Sequence, residues 1–179
     1  MLNLVIGQSA SGKSEYAENL ARKLYENSAG RLYYVATMNP YGEDGLRRIE
    51  RHRRMRRGKG FETIERQTDI GGITGERGDV FLIECMSNLL ANEMFDNHEK
   101  EEDVLLRKIV VPIVKLSEKV SSVTVVTNDV FADGREYATD TKLYRKMLGR
   151  INVELAKLAD NVVEVTAGVP VYIKGSEDA

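Results

Sequence analysis

Leu2-Asn3-Leu4-Val5-Ile6-Gly7-Gln8-Ser9-Ala10-Ser11-Gly12-Lys13-Ser14, running into Glu15-Tyr16-Ala17-Glu18-Asn19-Leu20-Ala21, decides the fold of this chain. The first five residues form a short apolar run that reads as a buried strand. Gly7 to Ser14 has the spacing of a P-loop, and the residues after it place apolar side chains at helical intervals. Strand, glycine loop and helix in that order build a phosphate cradle. The glycines let the backbone wrap closely around a phosphate chain, and loop amides and a helix N-terminus point at its negative charge. Lys13 is placed to reach β- and γ-phosphates, and the Ser14 hydroxyl to ligate Mg²⁺.

Outward from the loop, the chain alternates. Apolar runs at 31–37, 79–84, 123–127 and 162–166 read as further strands, with a short edge strand at 61–64 and a terminal strand at 169–173 after a turn at Gly168. Helical periodicity occupies 13–26, 43–57, 87–95, 99–119 and 140–159. Continuous apolar strands are covered on both faces, as in a mainly parallel sheet. The expected fold is therefore α/β: a P-loop NTPase (RecA-like) layered architecture with helices flanking a central sheet. Ligands bind at the carboxyl ends of such strands, where the P-loop already lies.

The 179 residues suit a single P-loop catalytic domain over 1–179. Hydrophobic residues make up 42% and charged residues 30%, the balance of an ordinary globular protein. A net charge of −2 gives no global case for nucleic-acid binding. No apolar run approaches the roughly 20 residues that span a bilayer. The first residues lack the basic start of a signal peptide, and Cys85, the single cysteine, has no internal partner. Both point to a reducing, cytoplasmic setting.

Against that slightly acidic background, Arg47 to Lys59 is an anomaly, with eight basic residues in thirteen. Such an excess beside a nucleotide fold suits a polyanionic ligand, although charge runs are often only solvated faces. His52 lies inside the run. Neutral imidazole is a nucleophile, and arginines beside it could neutralise a triphosphate and a departing pyrophosphate. Glu84 follows four apolar residues of the third long strand. There it could hold Mg²⁺ opposite Ser14. Asn128 and Asp129 close the next strand on the same face, to contact substrate or start a turn.

Together these residues resemble the bifunctional adenosylcobinamide kinase/adenosylcobinamide-phosphate guanylyltransferases of cobalamin assembly. The resemblance runs from the P-loop through Tyr33-Tyr34-Val35-Ala36-Thr37, Arg48-Ile49 with His52, Leu82-Ile83-Glu84-Cys85, Val126-Thr127-Asn128 and Gly149-Arg150-Ile151-Asn152 to the last strand. It implies that His52 becomes guanylylated by GTP and passes GMP to adenosylcobinamide phosphate. It also implies that the hydroxyl of adenosylcobinamide is first phosphorylated by ATP or GTP at the P-loop. Thr37, Met38, Asn39, Arg53, Arg54, Met55, Arg56, Glu65 and Glu84 fall where that family contacts GTP, beside Gly7, Gln8, Ser9, Ala10, Ser11, Gly12, Lys13 and Ser14. The family is associated with homo-oligomers, trimers among them, which makes the 87–119 helices candidate interface elements. The sequence departs from the family at 130–135, where the glycine and the Gly-Ile-Val-Pro stretch of the family are absent, and at Gln8-Ser9-Ala10.

Two other readings compete. One is a P-loop small-molecule kinase without guanylyltransferase activity, the basic helix acting as a lid. The other is a nucleotide-dependent switch whose basic helix binds a macromolecule.

Overall fold

The apolar runs assemble into one seven-stranded sheet. The computed structural model describes residues 1–40, 42–129 and 138–176, apart from the side chains of residues 44, 48 and 55. In chain order the strands are β1 (Leu2–Gly7), β2 (Leu32–Ala36), β3 (Glu62–Glu65), β4 (Val80–Ile83), β5 (Ser122–Asn128), β6 (Asn161–Thr166) and β7 (Val169–Lys174). The helices are α1 (Lys13–Glu26), α2 (Gly42–Arg56), α3 (Met86–Ala91), α4 (Glu102–Lys119) and α5 (Thr139–Leu158). Across the sheet the order is β3-β2-β4-β5-β1-β6-β7. Every neighbouring pair is parallel except β6 with β7, whose tight turn at Ala167-Gly168 reverses the chain. The fold is thus an α/β P-loop fold, with helices on both faces of a mostly parallel sheet.

Alternation along each strand divides the core in two. Leu4, Val35, Phe81, Val125 and Val162 face one side and pack with α3, α4 and α5 through Leu89, Ile109, Ile113, Leu148 and Ile151. Val5, Tyr34, Leu82, Val126 and Val163 face the other, where Ala17 and Ala21 let α1 approach closely. Burial on both faces explains the largely apolar reading of β1, β4 and β5.

The expected elements are all present, with shifted ends. The helix expected over 87–95 is α3 followed by a π-helical turn at Asn92–Asp96. Its cause is Asn92, whose buried amide turns inward and donates to the carbonyls of Thr37 and Gln67 at 2.8 Å each. The helix expected from residue 99 begins at Glu102, because Glu101 before it is extended, at φ −78° and ψ 118°. The rebuilt 130–135 stretch lies outside the described residues.

Candidate nucleotide site

The P-loop is held from three sides. The amide of Ser11 donates to Gln8 O at 3.2 Å, closing the loop on itself. Ala10 at φ 61° and Gly12 at φ 92° turn it into the start of α1. Gly7 has no room for a side chain: a Cβ there would lie 2.6 Å from both Ser11 Oγ and Val165 O. Beneath the loop, Gly168 of the β6–β7 turn donates its amide to Ser11 O at 2.8 Å and packs against Gly12.

Lys13 is buried and its Nζ donates to Gln8 O at 3.0 Å. Burial lowers its pKa from the ordinary lysine range, and the Cys85 thiol opposes that shift. Ser11 Oγ is buried with no hydrogen-bond partner among the described residues.

A cavity of about 450 Å³ opens over this loop. Residues 9–15 form its base, Met38, Arg51 and His52 reach it from the β2–α2 side, and Glu84 and Cys85 from the end of β4. Asn88 of α3, with Val126 and Asn128 of β5, completes the lining.

His52 and Glu84, 32 residues apart in sequence, meet at this cavity. His52 Nδ1 lies 2.7 Å from Glu84 Oε1, and the carboxylate is only 6% exposed. The approach is a short ion-pair distance; Glu84 Oε1 makes no hydrogen bond that is also well aligned. Tyr34 Oη stands 3.4 Å from the same ring nitrogen. Burial first, and then the Glu84 charge, raise the Tyr34 pKa and keep its hydroxyl neutral. The guanidinium of Arg56 lies over the Tyr34 ring, 3.6 Å from its centroid, a cation–π contact that seats the end of α2 on β2. With Nδ1 engaged by a carboxylate, Nε2 is the ring nitrogen left to act.

The remaining expected contacts are spread more widely. Met38 lines the cavity. Thr37 is fully buried and donates its hydroxyl to Cys85 O at 2.9 Å. Asn39 Nδ2 donates to Asn92 Oδ1 and Asp96 Oδ2. Arg53 pairs with Glu65 at 3.2 Å on the surface, and Arg54 is exposed. Thr37, Asn39, Arg53, Arg54, Arg56 and Glu65 are outside the cavity lining in this conformation. The Met55 side chain lies outside the described residues. Arg51, Cys85 and Asn88 are lining residues that sequence reading did not single out as contacts.

Ser14 and Glu84 are hard oxygen donors on one cavity, a donor set that fits Mg²⁺. No group of three or more His, Cys, Asp or Glu that could hold a metal occurs among the described residues. Mg²⁺ in nucleotide sites is usually held by one or two protein oxygens together with the phosphates, so this donor set suffices. No helix among the described residues is long and apolar enough to cross a membrane.

The family model described as cobinamide kinase / cobinamide phosphate guanyltransferase matches residues 3–173. The bifunctional adenosylcobalamin biosynthesis protein CobU of Escherichia coli is 28% identical, over 97% of this chain and 100% of its own. The bifunctional adenosylcobalamin biosynthesis protein CobP of Pseudomonas aeruginosa is 26% identical, over 98% of each chain. Among solved structures, the flagellar accessory protein FlaH from Methanocaldococcus jannaschii aligns over 98% of this chain and 78% of its own, at 12% identity and a TM-score of 0.48.

Proposed function

Because the chain belongs to the cobinamide kinase / cobinamide phosphate guanyltransferase family, we propose that its single domain over 1–179 carries both reactions on the cavity above the P-loop. It phosphorylates the hydroxyl of adenosylcobinamide with ATP or GTP, and then joins GMP from GTP to the resulting phosphate. The observation that carries this reading is His52 on the wall of the P-loop cavity with Nδ1 against Glu84.

In the kinase step the loop amides and Lys13 hold the β- and γ-phosphates, and the acceptor hydroxyl displaces the nucleoside diphosphate in line. In the nucleotidyl step His52 Nε2 attacks the α-phosphorus of GTP. A P–N bond forms, the bond to the bridging oxygen breaks, and pyrophosphate leaves against the positive charge of Arg51. The Glu84 carboxylate, 2.7 Å from Nδ1, stabilises the positive charge that develops on the imidazole. A phosphate oxygen of adenosylcobinamide phosphate then attacks the same phosphorus and releases Nε2. Ser14 and Glu84 would hold Mg²⁺, which neutralises phosphate charge when bound. The protein works in the cytoplasm as a homo-oligomer, a trimer by resemblance.

GTP labelled at the α-phosphate tests this reading. Brief incubation and quenching should leave acid-labile, base-stable label on the protein, and His52→Ala should abolish it. Absence of label from wild-type protein that still phosphorylates adenosylcobinamide would favour the kinase-only reading instead.

A further inference from the structure

One wall of the cavity is unused by the steps above. In the sheet, β5 lies between β1, which carries the P-loop, and β4, which leads to Glu84. The residue at its carboxyl end, Asn128, is in register with Gly7, and Asp129 N donates to Gly7 O at 3.1 Å. Asn128 therefore stands beside the phosphate cradle and faces the cavity. Its backbone is fixed, since its carbonyl accepts from Asn152 Nδ2 at 3.3 Å, and Thr127 Oγ1 donates to Asn152 Oδ1 at 2.7 Å.

The amide end of Asn128 is spent on the protein. Nδ2 donates to Ser87 Oγ at 2.5 Å and approaches Cys85 Sγ at 3.8 Å. Oδ1 has no partner among the described residues. One helical turn of α3 beyond Cys85, the Asn88 side chain lines the same cavity and has no hydrogen bond among the described residues. A lone carbonyl oxygen repels phosphate oxygens, which need N–H or cationic donors. Next to a phosphate cradle, such an atom suits a ligand that brings its own O–H. The unpartnered Asn88 amide can pair with both the N–H and C=O of a carboxamide.

We propose that Asn128 and Asn88 form the acceptor subsite of phosphoryl transfer, which takes a neutral alcohol flanked by a carboxamide. The inference rests on the functional reading above. Asn128 Oδ1 accepts a hydrogen bond from the attacking hydroxyl and orients its oxygen at the γ-phosphorus. As the new O–P bond forms, the bond from that phosphorus to the β–γ bridging oxygen breaks. The nucleoside diphosphate leaves with its electron pair, and the hydroxyl proton passes to solvent by way of the transferred phosphoryl oxygens. An amide is no base at neutral pH, so Asn128 positions the alcohol and takes no proton.

The test follows GTP labelled at the γ-phosphate and counts label transferred to adenosylcobinamide against label released to water. In Asn128→Ala the ratio of transfer to hydrolysis should fall at least about tenfold, the usual scale for losing one orienting contact. The KM for adenosylcobinamide should rise with it. Asn88→Ala, which leaves the β5 hydrogen bonds intact, should raise that KM several-fold and carries the test if the first variant does not fold. Transfer and hydrolysis falling together with an unchanged ratio would show a structural role and overturn the proposal. So would wild-type ratios and KM values in both variants. A wild-type protein that transfers no phosphate to adenosylcobinamide overturns the functional reading itself, and this subsite with it.

Discussion

Single side chains set the chemistry of this site, and their partners were the hardest part to read in advance. The P-loop residues were legible because backbone geometry demands glycine at Gly7 and Gly12. His52 reads as a candidate nucleophile and Glu84 as a candidate Mg²⁺ ligand, but nothing in either segment states that they meet at 2.7 Å. That contact is fixed by the sheet order, which places β2 beside β4. Tyr144 is a second case. It is half-buried against α3, donates to Ser87 O at 3.1 Å, and has its pKa pushed up to about 12 by burial of its hydroxyl, with the Cys85 charge adding to the shift. Unfolded tyrosine ionises near 10.0, whereas folded Tyr144 stays neutral until about 12. The unfolded state thus binds fewer protons in that window, and stability falls as pH rises through it. The Tyr144 share of the loss is on the order of 2–3 kcal/mol. Urea unfolding from neutral to strongly alkaline pH should show the gap between wild type and Tyr144→Phe closing as alkali is added. A gap that stays constant would mean that Tyr144 ionises as a free tyrosine does.

Element by element, sequence reading succeeded where periodicity was strong and stalled at α2. Strands buried on both faces announce themselves as apolar runs. A helix with basic residues at most positions of its second half has no apolar stripe to show which side faces inward. Sequence therefore could not separate Arg51, which reaches the cavity, from Arg53, which pairs with Glu65, or Arg56, which lies on Tyr34. Other contacts hold α2 in place. Just beyond it, between Gly58 and Gly60 at φ 78° and 81°, Lys59 reaches back to α1. Its Nζ lies 2.5 Å from Glu18 Oε2, and Glu18 is 1% exposed. Removing one member of a buried pair strands the other charge. Lys59→Met should cost about 3 kcal/mol in urea unfolding, and Glu18→Gln added to it should recover most of that loss. If the single variant is as stable as wild type, the pair does not anchor the end of α2.

For the molecule as a whole, the α/β class and the carboxyl-end location of the site were readable from alternation alone. The order of the strands was not, because apolar runs do not encode their neighbours. The site draws on β1, β2, β4 and β5 and their following segments, so nucleotide binding should stabilise the entire fold. GTP at about a hundred times its Kd adds about 2.7 kcal/mol to the folded state. For a chain of this size that raises Tm by about 5–10 °C. Calorimetry with and without GTP should show the shift in wild type and its loss in Lys13→Ala. The small turn at Gly168 has a further consequence, in the time order of synthesis. The phosphate loop leaves the ribosome well before Gly168, the residue of the β6–β7 turn that braces it at Ser11 O and Gly12. β1 also waits for β5 and β6 on its two flanks. A nascent chain carries the nucleotide motif long before it can hold a nucleotide, so GTP cannot template the folding of the growing polypeptide.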